Sequence, residues 1–205
     1  MEHDYFDSIA LVVYLIVLSL ALGQHVTNVG HAIRARNRVS AYWLHSLWAC
    51  LLFVVQIQLA EHAYGFRCVT DWGSGYVLLF LADALLVYFA VALIFPDLTS
   101  PDTSLCLKGH YYSIYRPFFV SISAAVVANY LSTAVMIDNF EISSHDVFLL
   151  IFLGLTVLLA TTKREIVHEV GSIVGAILFV IFTFLFGSNL SRDVPHSCIQ
   201  IILDQ

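Results

Sequence analysis

The stretch YVLLFLADALLVYFAVALIF, residues Tyr76 to Phe95, holds one charged group, the Asp83 carboxylate, in twenty positions. A helix rises about 1.5 Å per residue, so such a run matches the roughly 30 Å hydrocarbon core of a bilayer. It predicts a transmembrane helix. Charge at that depth costs about 2.5 kcal/mol or more, and residues that carry it are ordinarily retained for a site, a path or a partner.

The rest of the chain agrees with that reading. Of its 205 residues, 60% are hydrophobic and 12% charged, against roughly 25% charged in a soluble domain. Nine Lys and Arg are scattered among fifteen Asp and Glu, leaving a net charge of -6. On that balance no nucleic-acid partner is expected. The first apolar run follows the acidic segment Met1-Glu2-His3-Asp4 with no small-residue cleavage site, so it is expected to be a span and not a removable signal peptide.

Six apolar runs are marked, at about 9–29, 41–60, 76–95, 117–137, 147–161 and 170–187. They predict an all-α, polytopic transmembrane helix bundle forming a single domain over 1–205. The fifth and sixth runs are short, which leaves a four-span alternative with a re-entrant pair. With six crossings, Arg34, Arg36, Arg38, Lys108, Arg116, Lys163 and Arg164 fall on one side, and Arg67 and Arg192 on the other. The tendency of Lys and Arg to stay inside then puts both termini outside.

Counting inward from the outer helix ends, Asp83 and Asn129 each lie about 8 residues down, roughly 12 Å below the surface. Gln56 and Gln58 are shallower, and Tyr14 and Ser132 share the outer half. A carboxylate with amide and hydroxyl neighbours suits a cation or proton site. The structural alternative is a hydrogen bond that merely locks helices together, at about 0.6 to 2 kcal/mol. Toward the inner side, His25 and His45 with Gln24 form a candidate proton relay, since imidazole titrates near neutral pH. A single haem between His25 and His45 is a third option, although the spacing of His45 and His62 does not fit a two-haem cytochrome. Tyr42 and Trp43 read as interfacial anchors, and the Lys163 to Glu169 segment as a solvated hairpin that fixes topology.

The cysteines show no CxxC or Cys/His metal spacing. Cys68 and Cys198 fall on the same, outer side and are a candidate disulfide; Cys50 lies in a span and Cys106 in an inner loop. No hydrolase, metalloprotease or phosphate-loop signature is present, so no enzyme, metal or cofactor is expected. Ser121, Ala125, Ala128 and Ser132 on the fourth run, and the Gly171/Gly175 pair on the sixth, are small-residue stripes suited either to internal packing or to a homo-oligomer seam.

Arg34 and Arg36, then Tyr42-Trp43-x-His45-x-x-Trp48, Gln56-x-Gln58, Phe95-Pro96, and His110-Tyr111-Tyr112 through Arg116-Pro117-Phe118-Phe119 resemble uncharacterised bacterial polytopic integral membrane proteins. The resemblance implies a bacterial setting, hence the inner membrane, and carries no activity. The leading expectation is a small channel or transporter for a cation or protons, with the lipid bilayer and a second copy of the chain as its other partners. The alternative is a non-transporting subunit or sensor that docks a partner through an aromatic inner loop at 96–117.

Overall fold

The computed structural model describes residues 2–65, 74–97, 105–137 and 144–186. Six helices follow one another: α1 (Glu2–Arg34), α2 (Trp43–Gly65), α3 (Ser74–Ile94), α4 (Leu107–Ile137), α5 (Ser144–Thr161) and α6 (Glu165–Phe186). All six are long and apolar enough to cross a bilayer. The chain is a polytopic transmembrane helix bundle with six spans. Even α5, at 18 residues, reaches about 27 Å, so the four-span alternative is set aside.

The helices form a closed ring in the order α1, α3, α4, α5, α6, α2, and α2 also touches α3 and α4. One end of the bundle is tied by its loops. There a short strand β1 (Val39–Ser40) pairs in parallel with β2 (Leu105–Cys106), and the Leu105 amide donates to the Arg38 carbonyl at 3.0 Å. Lys108 at the start of α4 pairs with Glu165 at the start of α6. Arg34, Arg36, Arg38, Lys108, Arg116, Lys163 and Arg164 lie at this basic end, and they are all the Lys and Arg among the described residues.

Two boundaries differ from the hydropathy reading. The fourth span was expected to begin at Pro117, with a loop before it; instead α4 starts ten residues earlier and carries Pro117 inside it. The cause is visible in the spacing. Leu107, Tyr111, Tyr115, Phe118 and Ile122 are all buried, recurring every three or four residues as one face of a helix requires. Their polar neighbours His110, Ser113 and Arg116 lower the average hydropathy and hide that face. Proline is tolerated here because neighbouring helices can satisfy a freed carbonyl. The proposed docking loop at 96–117 is therefore largely helix from 107 onward, and most of its rings point inward. Likewise α6 begins at Glu165 and not at residue 170, so most of the expected solvated hairpin is helical.

The small-residue stripes pack inside the bundle. A Cβ at Gly171 would lie 2.9 Å from Leu159 Cδ2, and one at Gly175 would lie 3.1 Å from Leu155 Cδ2 and 3.8 Å from Trp48 Cη2. Both glycines let α6 approach α5 and α2. On α4, Ala125, Ala128 and Ser132 are buried, with Ala125 against Phe80, Ala84 and Val87 of α3. The outward faces are apolar too: Leu78 is 70% and Ile177 54% exposed, as lipid contact demands. The candidate disulfide Cys68–Cys198 lies outside the described residues.

Replacing Gly175 with Leu should therefore overpack this contact at a cost of about 1–3 kcal/mol. Thermal unfolding of the detergent-solubilised monomer is expected to show a clear loss for Gly175→Leu and none for the lipid-facing Ile177→Leu. An unchanged midpoint with altered oligomeric state would instead place Gly175 at a subunit seam.

Candidate functional site

Asp83 is 3% exposed and faces the bundle interior. Asn129 Nδ2 donates to its Oδ2 at 3.3 Å, so the two residues that share a level along α3 and α4 also share an azimuth. They line a cavity of about 180 Å³ between α2, α3, α4, α5 and α6. Its aromatic wall is Phe148 and Phe152 of α5 with Phe179 and Phe182 of α6. Glu61 and His62, near the last turn of α2, and His145, in the first turn of α5, surround it at the end of the bundle opposite the arginines. Trp48 and Leu51 bound it toward the basic end.

Below Trp48 the bundle is packed with rings. Trp48 meets Phe118 and Phe119 edge-on, at centroid distances of 5.9 and 5.0 Å, and its Nε1 donates to Ser172 Oγ at 2.9 Å. His168 sits beneath, fully buried. Its ring lies 5.6 Å from Tyr111, 5.5 Å from Tyr112, 5.3 Å from Tyr115 and 5.7 Å from Phe119. A carbonyl can only accept, so His168 Nε2 donates to the Thr162 carbonyl at 2.8 Å. Its Nδ1 then accepts from the Tyr111 hydroxyl at 3.0 Å. One tautomer is fixed by these two bonds. The cavity is thus polar toward one end and bounded by aromatic packing at the other.

Other candidate residues are distributed elsewhere. Gln56 is 1% exposed and its amide donates to His25 Nδ1 at 2.9 Å and to the Leu52 carbonyl at 3.2 Å. It does not reach Asp83. Its Oε1 finds no partner among the described residues. Gln58 does line the cavity, and its amide donates to Thr183 Oγ1 at 2.8 Å. Ser132 donates to the Asn129 carbonyl at 2.9 Å, which steadies the helix turn that carries Asn129. Tyr14 stacks on Phe80 at 3.9 Å and 14°, one turn from Asp83, and so braces α1 on α3. Gln24 is partly buried beside His25 on α1.

His25 and His45 are near each other without forming a relay. Each packs edge-on against the Phe95 ring, at 5.0 and 6.0 Å, and each is committed to a different partner. His45 Nε2 donates to the Ile94 carbonyl at 2.7 Å. His110 Nε2 is shared between the Leu93 and Ile94 carbonyls at 3.2 Å each. The two imidazoles cap the last carbonyls of α3, which have no partners of their own within the helix. With Phe95 against both rings, the pair does not offer the open facing geometry a haem iron requires.

Sequence reasoning gave no site role to His168, His62 or His145. The signal for His168 was present: His168, Ser172, Gly175, Phe179 and Phe182 recur at spacings of 4, 3, 4 and 3 and form the inward face of α6. His62 and His145 follow from placing the end of α2 and the start of α5 at one level. The chain matches no protein-family model, no curated protein and no solved structure.

Truncating His168 removes both bonds and leaves a hole among four rings. His168→Ala is expected to cost roughly 2–4 kcal/mol, and Tyr111→Phe about 1 kcal/mol, the value of a single hydrogen bond. Thermal unfolding in detergent should rank them in that order, with lipid-facing Ile173→Ala nearly silent. Equal, small effects would mean that the ring cluster does not hold the basic half together.

Proposed function

We propose that the protein is a small carrier for protons or a cation in a bacterial inner membrane, with Asp83 as the group that holds the transported charge. One observation supports this above the others: the buried carboxylate and its amide partner line a cavity whose walls reach Glu61, His62 and His145 toward one end of the bundle, while aromatic packing bounds it toward the other. Closure by packing toward the basic end favours a carrier over a continuous pore, because a pore needs a water path through both halves. The polar groups at the end opposite the arginines, Glu61, His62 and His145, are suited to drawing in a cation or relaying a proton.

The excess of Lys and Arg at one end supports an orientation with the arginines in the cytoplasm and both termini outside. On that reading the polar end of the cavity faces outward. Transport then calls for a second arrangement in which the ring cluster around Trp48 and His168 parts and the polar end closes. The cavity lies within one chain, so a second copy is not needed to complete it.

Flux into proteoliposomes, followed with an internal pH-sensitive or cation-sensitive dye, tests the proposal. Wild type is expected to conduct, Asp83→Asn to lose at least tenfold, and Asn129→Ala to fall between them. Undiminished flux in Asp83→Asn would remove Asp83 from the mechanism.

A further inference from the structure

The walls of the cavity say what kind of cation it suits. A hard inorganic cation is held by about six oxygen ligands at short range. Asp83, Asn129 and Gln58 are the acid and amide side chains that line the cavity below its rim, and together they offer fewer oxygens than such a shell needs. Among the described residues no three His, Cys, Asp or Glu are grouped so as to hold a metal ion. The remaining surface is hydrocarbon and ring. Phe152 and Phe179 lie near the carboxylate level, Phe148 and Phe182 toward the rim, and Trp48 toward the basic end.

We propose that this cavity binds a small organic ammonium with an apolar body, its charged head on Asp83 and its body between the aromatic rings of α5 and α6. This rests on the carrier reading, since it names the cargo of the same pocket. Size, charge and surface argue for it together. The volume, about 180 Å³, slightly exceeds the roughly 150 Å³ of an engineered apolar cavity that takes up benzene. It suits one ring or a branched alkyl group together with an amine. An ionised carboxylate accepts up to about four hydrogen bonds, and Asp83 receives one from Asn129, so an ammonium adds donors as well as compensating charge. Aromatic faces attract cations, most strongly where water is excluded. Glu61 at the rim repels anions of the same shape and favours the cation's approach.

The test is calorimetric titration of the full chain in nanodiscs. Benzylammonium and benzyltrimethylammonium are the cationic probes, toluene and benzyl alcohol their neutral counterparts, and sodium and calcium chloride the inorganic comparison. Benzylammonium is expected to bind at least tenfold more tightly than either neutral probe. Asp83→Asn should abolish that preference, and Phe179→Leu should weaken the cations severalfold while leaving protein stability near that of wild type. Equal affinity for charged and neutral probes would overturn the proposal and make the cavity a simple apolar void, as would binding of the inorganic ions alone. The wild-type comparison decides the matter even if Asp83→Asn fails to fold. Proton or inorganic cation flux with no ammonium binding overturns this inference and leaves the carrier reading standing. Ammonium binding with no flux of protons, inorganic cations or the ammonium itself does the reverse.

Discussion

A carboxylate inside a bilayer has to be enclosed by protein, and that requirement organises the outer half of this bundle. Asp83 lies within the third span, where lipid offers it neither hydrogen bonds nor counter-charge. Asn129 meets it from α4 at 3.3 Å, which fixes both the axial register and the rotation of α3 against α4. The contact is backed by packing: Phe80, Ala84 and Val87 of α3 close over Ala125 of α4 and Tyr14 of α1. The cavity opens on the remaining side of the carboxylate, against α2, α5 and α6. An acid that was only a structural clasp could have been packed shut with small apolar residues. Here it borders space.

The two ends of the molecule use histidine in different ways. At the basic end, His45 and His110 cap the carbonyls of α3, and His168 ties Tyr111 to Thr162 within a box of rings. These imidazoles are held by ring packing and hydrogen bonds, which close this half of the bundle in the arrangement described. At the other end, His62 and His145 stand beside Glu61 at the rim of the cavity. The strand pair Val39–Ser40 with Leu105–Cys106 and the Lys108–Glu165 ion pair add loop connections at the basic end.

Length and hydropathy are one-dimensional quantities, and the features that depend on them alone could be read from the chain. Six spans, and the matching depth of Asp83 and Asn129, belong to that class. Rotation about the helix axis could not be read, because a lipid-facing side is as apolar as the core: Leu78 is 70% exposed while Phe80, two residues on, is 2% exposed. The same cause separates Gln56 from Gln58. Residues two apart point about 200° from each other, so both amides could not face Asp83; one turned to His25 on α1 and the other to Thr183 on α6. The start of α4 was missed for a different reason. Polar residues interleaved with Tyr111 and Tyr115 depressed the hydropathy, and Pro117 looked like a boundary, although the buried positions already ran at helical spacing. His168 was hidden by its charged neighbours Lys163, Arg164, Glu165 and Glu169.

The central claim is that the carboxylate of Asp83 is reached from water at the end opposite the arginines and is shut off from the basic end. Single-cysteine labelling tests it most directly. In a background with Cys50, Cys68, Cys106 and Cys198 replaced, Asp83→Cys would be exposed in oriented vesicles to a small, membrane-impermeant, cationic thiol reagent applied from either face, with lipid-facing Leu78→Cys as the control. Modification of Asp83→Cys only from the face opposite the arginines, with Leu78→Cys unmodified, is the predicted result. Modification only from the arginine face, or none from either face in protein that reacts fully once unfolded, would contradict the account.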